Sequence, residues 1–223
     1  MVEKRDNEMI PGGIGILGGT FDPTHVGHVA VARAAMDHLG LSRVHLVPAN
    51  RNPLRLGEKT VADAHHRLVM AHLATLDEPW LFVDPVELQR SDDGSEPSYT
   101  IDTLRLYHDR FPGIPLILVV GADNAAFHKW RKAEDFPKHL AGIAVLSRPD
   151  FQETMEQSLA EVKKKLPAVH ALVRFLPVLD IPVSSTSVRE SLRRGVMPAD
   201  SLHPAVELHI RKYRLYGLDG GRS

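Results

Sequence analysis

The sequence contains no cysteine. Disulfides, thiol nucleophiles, iron–sulfur clusters and cysteine-based zinc sites are therefore excluded. Neither sign of charge is in surplus: 27 Lys and Arg against 28 Asp and Glu give a formal net charge of -1. Nothing global marks a binder of nucleic acid or of a membrane surface. No apolar run reaches the ~18–20 residues needed to cross a bilayer. The polar stretch Met1 to Pro11 lacks the apolar centre of a signal peptide, so the expected location is cytoplasmic. Aromatic residues are sparse at 6%, and no internal repeat is visible. The 16 glycines and 16 prolines are scattered as punctuation, which argues against low-complexity disorder.

What the chain does have is a composition ordinary for a globular protein, with 43% hydrophobic residues, and 13 histidines. Short apolar runs at Ile14–Leu17, Val44–Val47, Trp80–Val83 (extendable to Leu88), Pro115–Val120, Ile143–Leu146 and Leu172–Leu176 read as buried strands. Helical spacing falls between them. Val29, Ala32, Met36 and Leu39 form one stripe, stopped by Gly40. Further helices are expected over Ala64–Leu76, after a cap at Ser98 or Thr100, from Asp123, through Met155, Leu159, Val162 and Leu166, over Ser184–Arg194, and from Pro204 to Gly217. His65, His66 and His72 read as surface residues of the second helix. Alternation of strand and helix predicts an α/β fold, a Rossmann-like parallel sheet with helices on both faces. No linker divides it, so one domain is expected over residues 1–223, with 1–11 as a polar extension. Ligands of such sheets bind beyond the C-terminal strand ends, which draws attention to the loops after Leu17, Val47, Val120 and Leu146.

Gly13, Gly15 and Gly18 spell G-x-G-x-x-G, but in the wrong context. A dinucleotide fingerprint follows a strand and opens a helix, whereas these glycines flank or lie inside the first strand. The next segment is more specific: Gly18-Gly-Thr-Phe-Asp-Pro-Thr-His-Val-Gly-His28. Glycines at a strand end let a phosphate approach the backbone. His25 and His28 fall at a helix start three residues apart, which puts both imidazoles on one face. The helix N-terminus adds unpaired N–H groups and the positive end of its dipole. A third element, Val183-Ser-Ser-Thr-Ser-Val-Arg189, opens another helix with hydroxyl groups and places a permanent cation one turn in. A triphosphate needs donors from two sides, and these two segments supply them.

Gly18 to His28 resembles the H-x-G-H signature of the nucleotidylyltransferase superfamily. Val183 to Arg189 resembles its I-S-S-T-x-x-R signature, with Val in place of the leading Ile. Pro97 to Leu104, Gly121-Ala-Asp-Asn124 with Phe127-His-Lys-Trp130, and Ser147-Arg-Pro149 are similar to segments of the bacterial nicotinate-nucleotide adenylyltransferases. The likeness runs from about Ile14 to Tyr216 in the family's order. One departure stands at Pro53-Leu-Arg55, where family members often carry His in the place of Leu54; the positive charge is kept in Arg55.

The resemblance implies transfer of AMP from ATP to nicotinate mononucleotide, giving deamido-NAD and pyrophosphate in NAD biosynthesis. It implies catalytic roles for His25, His28 and Arg189. It puts Gly18, Gly19, Thr20, Phe21, His25, His28, Gly121, Asp123, Arg148, Ser185, Thr186 and Arg189 on ATP. Asn50, Arg55, Tyr99, Thr100 and Trp130 fall on the mononucleotide. Mg²⁺ is expected to arrive with ATP, and no protein-held metal is expected. The implied partners are these two small molecules, with no nucleic acid and no membrane; the oligomeric state stays open, a homo-oligomer included. Two other readings also stay open: a pantetheine-phosphate adenylyltransferase, whose family lacks the Ser-Tyr-Thr and Trp130 segments, and a catalytically silent nucleotide sensor.

Overall fold

The computed structural model describes residues 9–51, 60–90, 97–146, 152–177 and 181–218, apart from the side chain of Asp123. Among these residues six strands form one sheet: β1 (Ile14–Gly19), β2 (Arg43–Pro48), β3 (Leu81–Val83), β4 (Leu116–Gly121), β5 (Gly142–Leu146) and β6 (Val173–Leu176). Their order is β3-β2-β1-β4-β5-β6, the doubly wound arrangement that reverses direction between β1 and β4. Pairing is parallel, with Ile14 opposite Leu116, Leu118 opposite Ile143, and Ile143 opposite Val173. The helices are α1 (Val26–Leu39), α2 (Ala64–Ala74), α3 (Thr100–Arg110), α4 (Gln152–Lys165), α5 (Pro167–His170), α6 (Ser185–Arg193) and α7 (Pro204–Tyr213). This is the expected α/β, Rossmann-like fold.

The chain divides into two compact units, each assembled from three stretches of sequence. The first draws on the described residues of Met1–Gly18, Val31–His45 and Ser98–Asp180. Its centre is β4 and β5, buried along nearly their whole length as strands covered on both faces must be. Gly15 lies inside β1 for a packing reason: a Cβ there would stand 3.0 Å from Val44 and 3.1 Å from Leu41. Gly15 and Gly18 of the G-x-G-x-x-G run thus lie inside a strand and Gly13 flanks it, as its context indicated. Tyr107, on the apolar face of α3 with Ile101 and Leu104, is fully buried, and its hydroxyl is 2.9 Å from His45 Nδ1.

The second unit draws on Gly19–Ala30, Leu46–Pro97 and the described residues of Ile181–Ser223. Its core joins α2, α6 and α7 through Met70, Ala74, Val188, Leu192, Val206, Ile210 and Tyr216. On the same helices His66 Nδ1 lies 3.0 Å from His209 Nε2, with the Tyr213 ring against both imidazoles. His65 and His72 are exposed as expected, whereas His66 is half-buried and faces α7. Burial, then the neighbouring His66, His65 and Lys212, holds the His209 imidazole below its ordinary value. Folding therefore disfavours its protonated form. The stability it contributes is complete above about pH 6.5, the value of an unfolded imidazole, and is lost as pH falls below that. The melting temperature is expected to drop between about pH 7 and pH 5.5, and to drop less in His209→Gln, which keeps a polar partner without a titrating proton. Equal slopes for the two proteins would remove His209 as the source.

Several element ends differ from the sequence reading. β1 runs on through Gly19, whose carbonyl accepts the Ala49 N–H at 2.8 Å, so the loop starts at Thr20. β3 stops at Val83 because the Asp84 carboxylate turns the chain by accepting the Val86 N–H at 3.1 Å. α4 ends before Leu166, since Pro167 disfavours a helical residue ahead of it. α7 ends at Tyr213, where Arg214 takes a left-handed conformation and a separate 3-10 turn, Leu215–Gly217, follows.

Candidate active site

Gly19 to His28 of the histidine segment lie in the second unit. His25 immediately precedes α1, and His28 sits in its first turn. The His25 backbone N–H donates to His28 Nδ1 at 3.2 Å, while His25's carbonyl accepts the His28 N–H at 2.9 Å. This is the reach-back bond that Glu or Gln makes in a capping box, here made by an imidazole. It fixes the tautomer: with Nδ1 an acceptor, the neutral ring of His28 carries its proton on Nε2. The two imidazoles stack at 3.7 Å between centroids, and Phe21 meets His28 edge-on at 4.9 Å. Gly27, between them, has no room for a side chain, since a Cβ would stand 2.9 Å from Val183 and 3.0 Å from the His25 ring.

The second signature converges on the same loop. Ser184 caps α6 and forms a capping box with Ser187. Ser185 Oγ donates to the Pro23 carbonyl at 3.0 Å. Arg189 donates through Nη1 to the Asp22 carbonyl at 2.7 Å and through Nη2 to Thr186 Oγ1 at 3.2 Å. Its Nε–H is buried without a hydrogen-bond partner among the described residues. Two segments about 160 residues apart in sequence are thus hydrogen-bonded through Asp22 and Pro23.

Three residues that the sequence reading passed over hold this loop. Asp22, buried at 4% exposure, accepts the Val61 and Ala62 backbone N–H groups at 2.8 and 3.1 Å, and the Tyr216 hydroxyl at 2.7 Å. Arg67, on α2, is 1% exposed and donates to the carbonyls of Thr20 and Ala49, each at 2.7 Å, with Asn50's at 3.5 Å. Burial lowers its pKa while the charge of Asp22 raises it. The Phe-Asp-Pro run beside the histidines was a signal for Asp22. Nothing local signalled Tyr216 or Arg67.

The remaining expected site residues divide between the units. Gly19, Thr20, Phe21 and Asn50 belong to the second. Gly18, exposed near the end of β1, belongs to the first, as do Gly121, Tyr99, Thr100 and Trp130. Thr100 is the first residue of α3 and does not cap it; nor does Ser98, buried two residues ahead. Tyr99 holds the cap position in extended backbone without a side-chain cap, its ring 4.3 Å from the Arg131 guanidinium carbon. Asp123 lies in the middle of a 3-10 turn, Ala122–Asn124, that Gly121 precedes, so it does not open a helix. Trp130 packs against Phe127 at 5.4 Å and Phe136 at 6.1 Å, both near-perpendicular, and its buried indole N–H has no hydrogen-bond partner among the described residues. Arg55 and Arg148 lie outside the described residues.

An α/β sheet of this order, bearing paired histidines at one helix start and a serine- and arginine-bearing start at another, defines a nucleotide-handling enzyme class, and the Cytidylyltransferase-like family model matches residues 16–191. A "Probable nicotinate-nucleotide adenylyltransferase" of Roseiflexus sp. (strain RS-1) is 40% identical over 205 residues, covering 91% of this chain and 97% of that relative. One from Herpetosiphon aurantiacus is 36% identical, with 91% and 98% covered. The solved structure "Plasmodium falciparum nicotinic acid mononucleotide adenylyltransferase complexed with NaAD" shares the fold, with a TM-score of 0.69 at 20% identity, covering 93% of this chain and 98% of that one. The chain belongs to the Cytidylyltransferase-like family and, within it, to the nicotinate-nucleotide adenylyltransferases.

Proposed function

We infer that the protein transfers AMP from ATP to nicotinate mononucleotide, releasing pyrophosphate and forming deamido-NAD. The observation that carries this reading is the reach-back bond of His28, which aims a single N–H from a fixed ring while Arg189 and Ser185 are tied to the loop leading into it. Family membership supplies the acceptor.

A phosphate oxygen of the mononucleotide attacks the α-phosphorus of ATP, and the bond from that phosphorus to the oxygen bridging to the β-phosphate breaks. The attacking group is already an anion, so no enzyme nucleophile takes part. Catalysis is positioning plus stabilisation of charge on the phosphoryl oxygens. His28 Nε2–H serves the α-phosphate and His25 the adjoining phosphates. Arg189, whose Nη1 and Nη2 each keep one N–H beyond those to Asp22 and Thr186, serves the β- and γ-phosphates. Ser185 spends its hydroxyl proton on Pro23, so what it offers an anion is its backbone N–H at the first turn of α6. Thr186 accepts from Arg189 and keeps its own hydroxyl proton for a phosphate. Gly18, Gly19, Thr20 and Phe21 lie along the backbone that a phosphate approaches. Gly121, Asp123 and Arg148 take the adenosine; Asn50, Arg55, Tyr99, Thr100 and Trp130 take the mononucleotide. ATP enters as its magnesium complex, the ion keeping phosphate and water ligands.

The test is pyrophosphate release from ATP with a panel of acceptors. Nicotinate mononucleotide should support turnover and phosphopantetheine should not. ATP binding without release under any acceptor would make the chain a silent sensor. Within the same assay, nicotinate mononucleotide should exceed nicotinamide mononucleotide in kcat/KM by at least about ten-fold. The start of α3 presents backbone donors and Arg131 adds a cation over Tyr99, an environment suited to a carboxylate and unsuited to an amide NH₂. Equal constants would detach this helix start from substrate selection.

A further inference from the structure

We propose that Tyr216 is a positioning residue for adenylyl transfer, acting through the Asp22 carboxylate on Arg189. The proposal rests on the reading of Arg189 as a triphosphate residue. Asp22 joins three parts of the second unit. Its side chain takes the Val61 and Ala62 N–H groups and the Tyr216 hydroxyl. Its main-chain carbonyl takes Arg189 Nη1 at 2.7 Å. Where Asp22 goes, Pro23 follows, and with it the anchor of Ser185 and the lead into His25.

Tyr216 has a specific task at this junction. Asp22 carries a buried carboxyl group, and Arg189 is a cation already bonded to the main chain of the same residue. Without the tyrosine hydroxyl Asp22 Oδ1 would keep only the Ala62 N–H, and the opened position would draw the guanidinium toward a charge-assisted contact and away from a ligand. The Tyr216 hydroxyl fills that position. Burial and the charge of Asp22 both hold the phenol well above its ordinary value, so it stays a neutral donor at any working pH. Its backbone carries a cost for being there. Tyr216 has φ +62°, in the left-handed region that disfavours an aromatic residue, two places after Arg214 at φ +51°. A strained turn maintained around one buried hydroxyl is the observation that separates this tyrosine from an ordinary core aromatic.

The experiment is a double-mutant cycle between Tyr216→Phe and Arg189→Ala, with melting temperatures confirming folded proteins. Tyr216→Phe alone should lower kcat/KM for ATP about ten-fold while leaving KM for the mononucleotide within about two-fold. In the Arg189→Ala background the same change should cost less than about two-fold, because the residue it positions is gone. A ten-fold loss in both backgrounds would make Tyr216 structural only, and no loss in the parent would overturn the proposal outright. Should Tyr216→Phe fail to fold, Asp22→Asn enters the cycle in its place with the same criteria. The parent's own turnover is the separate control on the function. If it forms no deamido-NAD, the cycle read as ATP affinity by calorimetry still decides whether Tyr216 acts through Arg189.

Discussion

His28→Ala is expected to lower kcat by about 10²–10³ with a much smaller change in ATP affinity. Removing one preorganised donor to charge that grows in the transition state has a cost of that order. The ring is fixed before substrate arrives, by the His25 N–H on Nδ1, by stacking on His25 and by the edge of Phe21. No reorganisation is then needed during reaction. The same bond also caps α1, so His28→Ala should destabilise the fold by about 1 kcal/mol. His28→Gln separates the two effects. Glutamine at this position makes the reach-back bond, so stability should return while the rate stays low. A folded His28→Ala protein with near-normal turnover would remove the imidazole from catalysis.

Trp130→Ala should weaken nicotinate mononucleotide by roughly thirty-fold and leave ATP binding unchanged. The pyridinium ring of the mononucleotide is a cation, and a desolvated indole face attracts one by about 2 kcal/mol. Contacts at near-right angles with Phe127 and Phe136 hold the indole in one orientation. Trp130→Phe, which keeps an aromatic face, should recover most of the loss. Calorimetry with each ligand separates the outcomes: equal weakening of both would mark Trp130 as packing alone.

The sequence was most readable where the physics is local. The strand–helix alternation, the end of α1 before Gly40 and the paired start of His25 and His28 all depend on neighbours within a turn or two. The capping preference of Ser184 was visible for the same reason. Other features were hidden because their cause is distant. Tyr216 reaches Asp22 across 194 residues, and Arg67 reaches Ala49 across 18, so neither pair falls within a turn or two of sequence. Gly27 was legible as part of a motif, but its reason, the Val183 side chain, lies in another segment. Tyr99, not Thr100, holds the cap position, with the Arg131 guanidinium over its ring, so the local preference for a hydroxyl at a helix start did not decide this end.

The span of the Asp22–Tyr216 bond also sets an order of events during synthesis. The histidine turn precedes α2 in the chain, and Arg67 can reach Thr20 once α2 has emerged. Arg189 and Ser185 come much later, and the tyrosine that completes the carboxylate's bonding later still. Before that, Asp22 has only the Val61 and Ala62 N–H groups to draw on, without the hydroxyl. The junction at Asp22 is therefore complete only once the Tyr216 hydroxyl has folded back onto it.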